Sequence, residues 1–206
     1  MNKYIIGVIV LFGLAVVRVV STYTVFNSTY DEPVHIACGM EWLQWGSSTC
    51  ELQHPPLARV AVALGPFLKG LRLKTRSNVP GQQPISFYQE GNGILYSEGH
   101  YWSNLTWARI GTLLFLVLLC AVTFVWARRW FSEAAGFWAV LLLACTSPIL
   151  GHAGLATNDV ACAAGAALAL YQFLRWLEQP RTARCLWWGA ATALAVLCKF
   201  SNIPFL

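Results

Sequence analysis

Residues 107–127, WARIGTLLFLVLLCAVTFVWA, form an apolar run with one charge, Arg109, near its start and an arginine pair, Arg128 and Arg129, directly after its end. About 20 apolar residues make a helix long enough to cross a bilayer. Short loops rich in Lys and Arg stay on the cytoplasmic side. The run therefore predicts a membrane span whose arginine pair faces inward and whose Arg109 lies near the outer surface.

Working outward from this span, four further apolar blocks occupy 4–26, 134–150, 159–176 and 186–204. The expected fold is an all-α, multi-pass helical bundle of five spans. Composition agrees: 57% of the chain is hydrophobic and 11% charged, against about 25% charged in a soluble domain, which excludes a water-soluble globule. The net charge of +5 forms no basic stripe interleaved with aromatics, so no nucleic acid is expected as a partner. That charge is read instead as membrane orientation and phosphate binding. The first block follows a single Lys3 and ends in the bulky Tyr23, Thr24, Val25 and Phe26. It offers no small-residue cleavage site and is longer than a signal-peptide core, so a helix is expected. Its Arg18 must snorkel or face other helices.

Arg175, Arg181 and Arg184 separate the fourth and fifth blocks and, like Arg128 and Arg129, mark an inner loop. The polar stretch 27–104 then faces outward. In it, Asp31 and Glu32 precede Pro33, the chemistry of a helix start, and a short helix through Trp45 is expected. Pro55 and Pro56 open a second helix in which Leu57, Val60, Ala61, Leu64, Leu68 and Leu71 recur at helical spacing. That stripe predicts a helix lying on the membrane surface, kinked near Gly65 and Pro66. Seven cysteines show no CxxC pair, so no zinc or dithiol site is expected. Cys38 and Cys50 lie in the outer loop, where they stand either as free thiols or as a disulfide in an oxidising compartment.

Acidic residues are scarce, and two positions converge on the outer face. Asp31, with Glu32, follows the first span, and Asp159 opens the fourth. A carboxylate at the membrane surface meets the head group of a lipid-linked substrate and can take the proton of an attacking hydroxyl; equally, each caps a helix. A lipid-phosphate leaving group needs cations. Arg109 is the best placed of these. Arg59, after His54-Pro55-Pro56-Leu57, and Lys199, near the outer end of the fifth span, serve either as phosphate contacts or as interfacial anchors. His54 binds substrate, binds a metal or is a solvated structural residue. His35, His100 and His152 show no ligand spacing, so no metal and no cofactor are expected.

The order of Asp31-Glu32-Pro33, His54-Pro55-Pro56-Leu57, Ala108-Arg109 and Asn158-Asp159 resembles the membrane glycosyltransferases of the protein O-mannosyltransferase and aminoarabinose transferase kind, with the GT-C fold. Asn158 stands where a threonine is common in that family. The resemblance implies Asp31 as the catalytic carboxylate with Glu32 completing the pair, and Arg109 against the carrier phosphate. It also implies Asp159 in the same cavity and the segment after His54 as its rim. Because members of that family are longer, these residues are expected to form the N-terminal part of a larger protein. The implied reaction moves a sugar from a polyprenyl-phosphate carrier to a protein, lipid or glycan acceptor, on the extracytoplasmic face of a bacterial inner membrane. The rivals are a transporter or lipid flippase, which more often breaks its spans at mid-bilayer, and a non-catalytic scaffold subunit.

This topology has a direct test. With native thiols blocked, a cysteine placed at Ser86 should react with an impermeant reagent on intact cells and one at Thr182 should stay protected; the reverse pattern would overturn the orientation.

Overall fold

A computed structural model describes residues 3–47, 49–74 and 86–206 of the chain. Within the expected outer loop, residue 48 and residues 75–85 lie outside the described residues. The described residues form helices without strands: α1 Lys3–Val20, α2 Asp31–Trp45, α3 Pro56–Leu68, α4 Phe87–Leu95, α5 Tyr101–Trp130, α6 Glu133–Cys145, α7 Ser147–Ala153, α8 Asp159–Glu178 and α9 Thr182–Cys198. Among them α1, α5 and α8 are each long and apolar enough to cross a membrane. The all-α membrane bundle expected from the sequence is what the chain forms.

Three of the expected spans differ in detail, each for a local reason. The block 4–26 is helical only to Val20, and the backbone then turns through residues 21–26. This turn aims the carbonyls of Tyr23 and Phe26 at Arg109. The block 134–150 is two helices, α6 and α7, bent by 67°. Thr146 leaves helical geometry at φ −78° and ψ 107°, and Pro148 enters the first turn of α7, where its missing N–H costs no hydrogen bond. The block 186–204 stops as an α-helix at Cys198 and, at 17 residues, α9 is shorter than the other spanning helices. Lys199 is extended there, followed by a 3-10 turn over Phe200–Phe205.

α5, by contrast, is longer than expected. At 30 residues and 1.5 Å per residue it measures roughly 45 Å, more than the ~30 Å of bilayer hydrocarbon. Its first turns hold the outer helices. Asn104 donates to the carbonyls of Ile94, Leu95 and Ser97 at the end of α4, and its own carbonyl accepts from Lys69 just beyond α3.

The helices meet where side chains are smallest. A Cβ on Gly39 of α2 would overlap the carbonyl of Arg59 in α3, and one on Gly111 of α5 would overlap the carbonyl of Ala61. Small residues permit this backbone approach, the packing device expected where lipid supplies no hydrophobic drive between helices. Two apolar clusters result. One joins Val19, Tyr23, Phe115, Leu116, Leu119, Val160 and Ala164 of the spanning bundle. The other joins Ile36, Met40, Val62, Ala63, Leu95 and Leu105 of the outer layer.

α3 runs through Gly65 and Pro66 as one helix to Leu68, with Pro66 in its last turn. Its buried face is Ala58, Arg59, Val62, Ala63 and Pro66, whereas Leu64 and Leu68 of the expected apolar stripe are exposed. Ile6, Ile9, Leu14 and Val17 of α1 are exposed as well, as lipid-facing residues should be. Arg18 turns toward α6 and donates to the carbonyl of Ala144 at 3.4 Å.

One ion pair ties the outer layer to the bundle. Arg109 and Glu32, respectively 1% and 0% exposed, meet twice, with Nε to Oε1 at 2.9 Å and Nη2 to Oε2 at 3.0 Å. Removing one partner of a buried pair strands the other charge, at a cost of about 3–5 kcal/mol. Glu32→Ala should therefore lower the unfolding free energy by that order, and the double variant Glu32→Ala, Arg109→Leu should recover part of it. Chemical denaturation in detergent measures both. An unchanged midpoint in Glu32→Ala would show that the pair does not hold the layers together.

Candidate active site

Asp31 and Glu32 are neighbours on α2, yet successive helical residues point about 100° apart, and the two carboxylates do opposite things. Glu32 turns into the protein. Besides Arg109 it accepts from the backbone N–H of Ala156 at 2.8 Å and of Thr29 at 2.8 Å. Asp31 turns outward, is exposed, and lines a cavity of about 410 Å³. Among the described residues no group pairs with its carboxylate.

The cavity also receives His54, Asp159 and Lys199, so four of the seven expected site residues meet in it, drawn from α2, the loop before α3, α8 and the break after α9. Each is held from behind. Lys199 points inward because the chain is extended there and Asn202 fastens the following turn, donating to the carbonyls of Ala195 and Cys162. Its Nζ reaches Asp159 Oδ1 at 2.8 Å. The other oxygen of Asp159 faces His152 Nδ1 at 3.2 Å and the Thr157 hydroxyl at 3.3 Å. His54 Nδ1 lies 3.2 Å from the side-chain nitrogen of Asn158.

The other three expected residues stay out of this cavity and are engaged by the protein itself. Glu32 is sealed in the protein, with both oxygens engaged. Arg109 has five N–H groups, and the protein takes all of them: Nε and one Nη2 proton go to Glu32, and the rest to the carbonyls of Tyr23, Phe26 and Asn27. No donor remains for a carrier phosphate. Arg59 is neither an interfacial anchor nor a free phosphate contact. It is 2% exposed, and it donates to the carbonyls of Glu51 and His54, to the Glu51 carboxylate at 2.7 Å, and through Nε to His35 Nδ1 at 3.2 Å. Arg59 thus shapes the cavity wall from behind.

The wall-forming loop is anchored at its other end too. Cys38 of α2 is disulfide-bonded to Cys50, with Cα atoms 5.5 Å apart. The buried Glu41 accepts from the backbone N–H groups of Thr49 and Cys50. Gly46 ends α2 in the left-handed conformation, at φ 62°, which favours glycine.

Sequence reasoning passed over several residues of the cavity. Tyr30, Tyr88 and Phe87 edge it, and the rings of Tyr30 and Tyr88 stack at 4.9 Å. His35 stands four residues after Asp31 and also lines the cavity; that helical spacing was the available signal. Its pKa is held down to about 3, first by burial and then by the charge of Arg59. His54 is shifted down as well, by burial and then by Arg59 and Lys199. The cavity accordingly combines a free carboxylate, a lysine–aspartate pair and two neutral imidazoles, which together can accept a proton from a hydroxyl and offer a cation to an anion.

Neither a curated protein nor a solved structure matches the chain significantly. The pattern of one family, described as dolichyl-phosphate-mannose-protein mannosyltransferase, matches residues 102–206. That stretch includes Arg109, Asp159 and Lys199 but ends short of Asp31 and His54. It covers half of the chain, and with the all-α membrane fold it shows that the chain belongs to this family of membrane glycosyltransferases, which draw on a lipid-linked sugar.

Proposed function

We propose that the cavity transfers a sugar from a polyprenyl-phosphate carrier to a protein, lipid or glycan acceptor on the extracytoplasmic face of the membrane. Asp31 is the general base. It takes the acceptor hydroxyl proton as that oxygen bonds to the anomeric carbon, while the bond from that carbon to the carrier phosphate oxygen breaks and the polyprenyl phosphate leaves. A single displacement inverts the anomeric carbon. The observation that carries this reading is the unpaired Asp31 carboxylate in a cavity shared with the Lys199–Asp159 pair. A base needs a free lone pair and room for the hydroxyl beside it, whereas the adjacent Glu32 has neither.

Lys199 is the cation we assign to the leaving phosphate, since Arg109 has no donor to spare and Arg59 is buried behind the wall with four of its five N–H groups engaged, and Asp159 holds the ammonium in place. His54 lines the substrate's path. The outward orientation draws support from the disulfide between Cys38 and Cys50, a bond that persists in oxidising compartments. It is also supported by the arginines gathered at the far end of the bundle, where Arg129 pairs with Glu178 at the last residue of α8 while Asp159 starts that helix at the cavity.

Replacing Asp31 by asparagine preserves shape and removes the charge. Transfer from a defined polyprenyl-phosphate sugar by the purified protein should fall by roughly 100- to 10,000-fold, with the melting temperature unchanged. Asparagine caps a helix about as well as aspartate, so a merely structural Asp31 would leave transfer intact, and full activity would sink the assignment.

A further inference from the structure

His35 sits one helical turn after Asp31, so the two side chains share a face of α2, with Cβ atoms about 5–6 Å apart. Both line the same cavity. The protonation state of His35 follows from its neighbour. Arg59 Nε carries a hydrogen and can only donate, and it meets His35 Nδ1 at 3.2 Å. That nitrogen must accept, so a neutral ring carries its proton on Nε2. Among the described residues no protein group pairs with Nε2. The arrangement is fixed because Arg59 is itself buried and held by Glu51 and the carbonyl of His54. A second proton on the ring would displace the Arg59 contact and place two cations side by side.

We infer that His35 touches the substrate, its Nε2–H donating a hydrogen bond to a hydroxyl of the transferred sugar beside Asp31. This rests on the polyprenyl-phosphate reading above and adds to it a determinant of sugar recognition. The partner is a hydroxyl on electrostatic grounds. Of the carboxylates bordering the spot, Glu51 is paired with Arg59 and Asp159 with Lys199; the one left unpaired, Asp31, lies one turn away and repels a phosphate, and the neutral ring brings no charge to offset it. A hydroxyl both accepts and donates, and so matches a neutral N–H and a carboxylate set one turn apart. The phosphate belongs with Lys199.

The test separates the two ring nitrogens. In His35→Asn the amide oxygen replaces Nδ1 and keeps an acceptor for Arg59, but nothing reaches the Nε2 position. In His35→Gln the amide nitrogen replaces Nε2 and keeps the donor. Binding of polyprenyl phosphate, alone and carrying mannose or glucose, is measured for wild type and both variants in detergent, with melting temperatures alongside. Wild type should prefer a sugar-bearing carrier. His35→Asn should lose that preference by roughly fivefold, the scale of one neutral hydrogen bond, with the affinity for bare carrier unchanged, and His35→Gln should retain most of it. An undiminished preference in His35→Asn, an equal loss in His35→Gln, or a loss that extends to bare carrier overturns the inference while leaving the transferase reading in place. Failure of the wild type to bind any of the three lipids overturns both.

Discussion

The buried pair of Arg109 and Glu32 is the constraint on which the rest of this structure depends. Arg109 lies on a spanning helix, where an uncompensated charge is expensive, and its five donors draw five acceptors around it. Two are the oxygens of Glu32, which fixes α2 against α5. Three are backbone carbonyls between Tyr23 and Asn27, which fix the exit of α1. Glu32 then accepts from Ala156, on the stretch between α7 and α8. Three stretches far apart in sequence, 23–32, the start of α5 and the backbone at Ala156, thus meet around one ion pair, and the carbonyls of the first have a donor where the helix of α1 stops. Such pairs contribute less to net stability than to the choice of one arrangement among several. Here the arrangement chosen brings Asp31 and Asp159 to one cavity.

Orientation on α2 follows from that anchor. Once Glu32 is committed to the interior, the helical period places Asp31 and His35 together on the cavity side. The same logic recurs at Arg59, a second buried guanidinium spent on the protein. It holds the ring of His35 and the carbonyl of His54 from behind the cavity. In both places the strongly charged arginine is structural, and weaker or neutral groups are left free for chemistry.

The apolar blocks made the bundle legible from sequence, because length and hydropathy alone decide whether a helix can span. The start of α2 was legible as well, since proline and two carboxylates mark a helix N-terminus. Legibility ran out where an outcome depended on a partner distant in sequence. Arg109 and Glu32 read as substrate contacts because each carries the right charge near the outer surface; only the fold reveals that 77 positions of chain separate two halves of one ion pair. Arg59 misled in the same way. The breaks at Thr146 and Lys199 lie inside apolar runs that read as continuous, since hydropathy is blind to a local change in φ and ψ. His35 lies at helical spacing from Asp31, a signal carried by the pair and not by any spacing among the histidines.

The cavity is braced by α3, which faces two ways. Its inner face, Ala58, Arg59, Val62 and Ala63, packs against the outer layer, and its outer face carries Leu64 and Leu68, exposed in the protein itself. A leucine stripe of this kind is stable only with apolar cover, and an amphipathic helix obtains that by lying at the boundary of head groups and acyl chains. Arg59 and the loop through His54 are one turn and a few residues from that stripe, so the helix that turns an apolar face outward also braces the cavity wall from behind, through the contacts of Arg59 with His35 and with the carbonyl of His54.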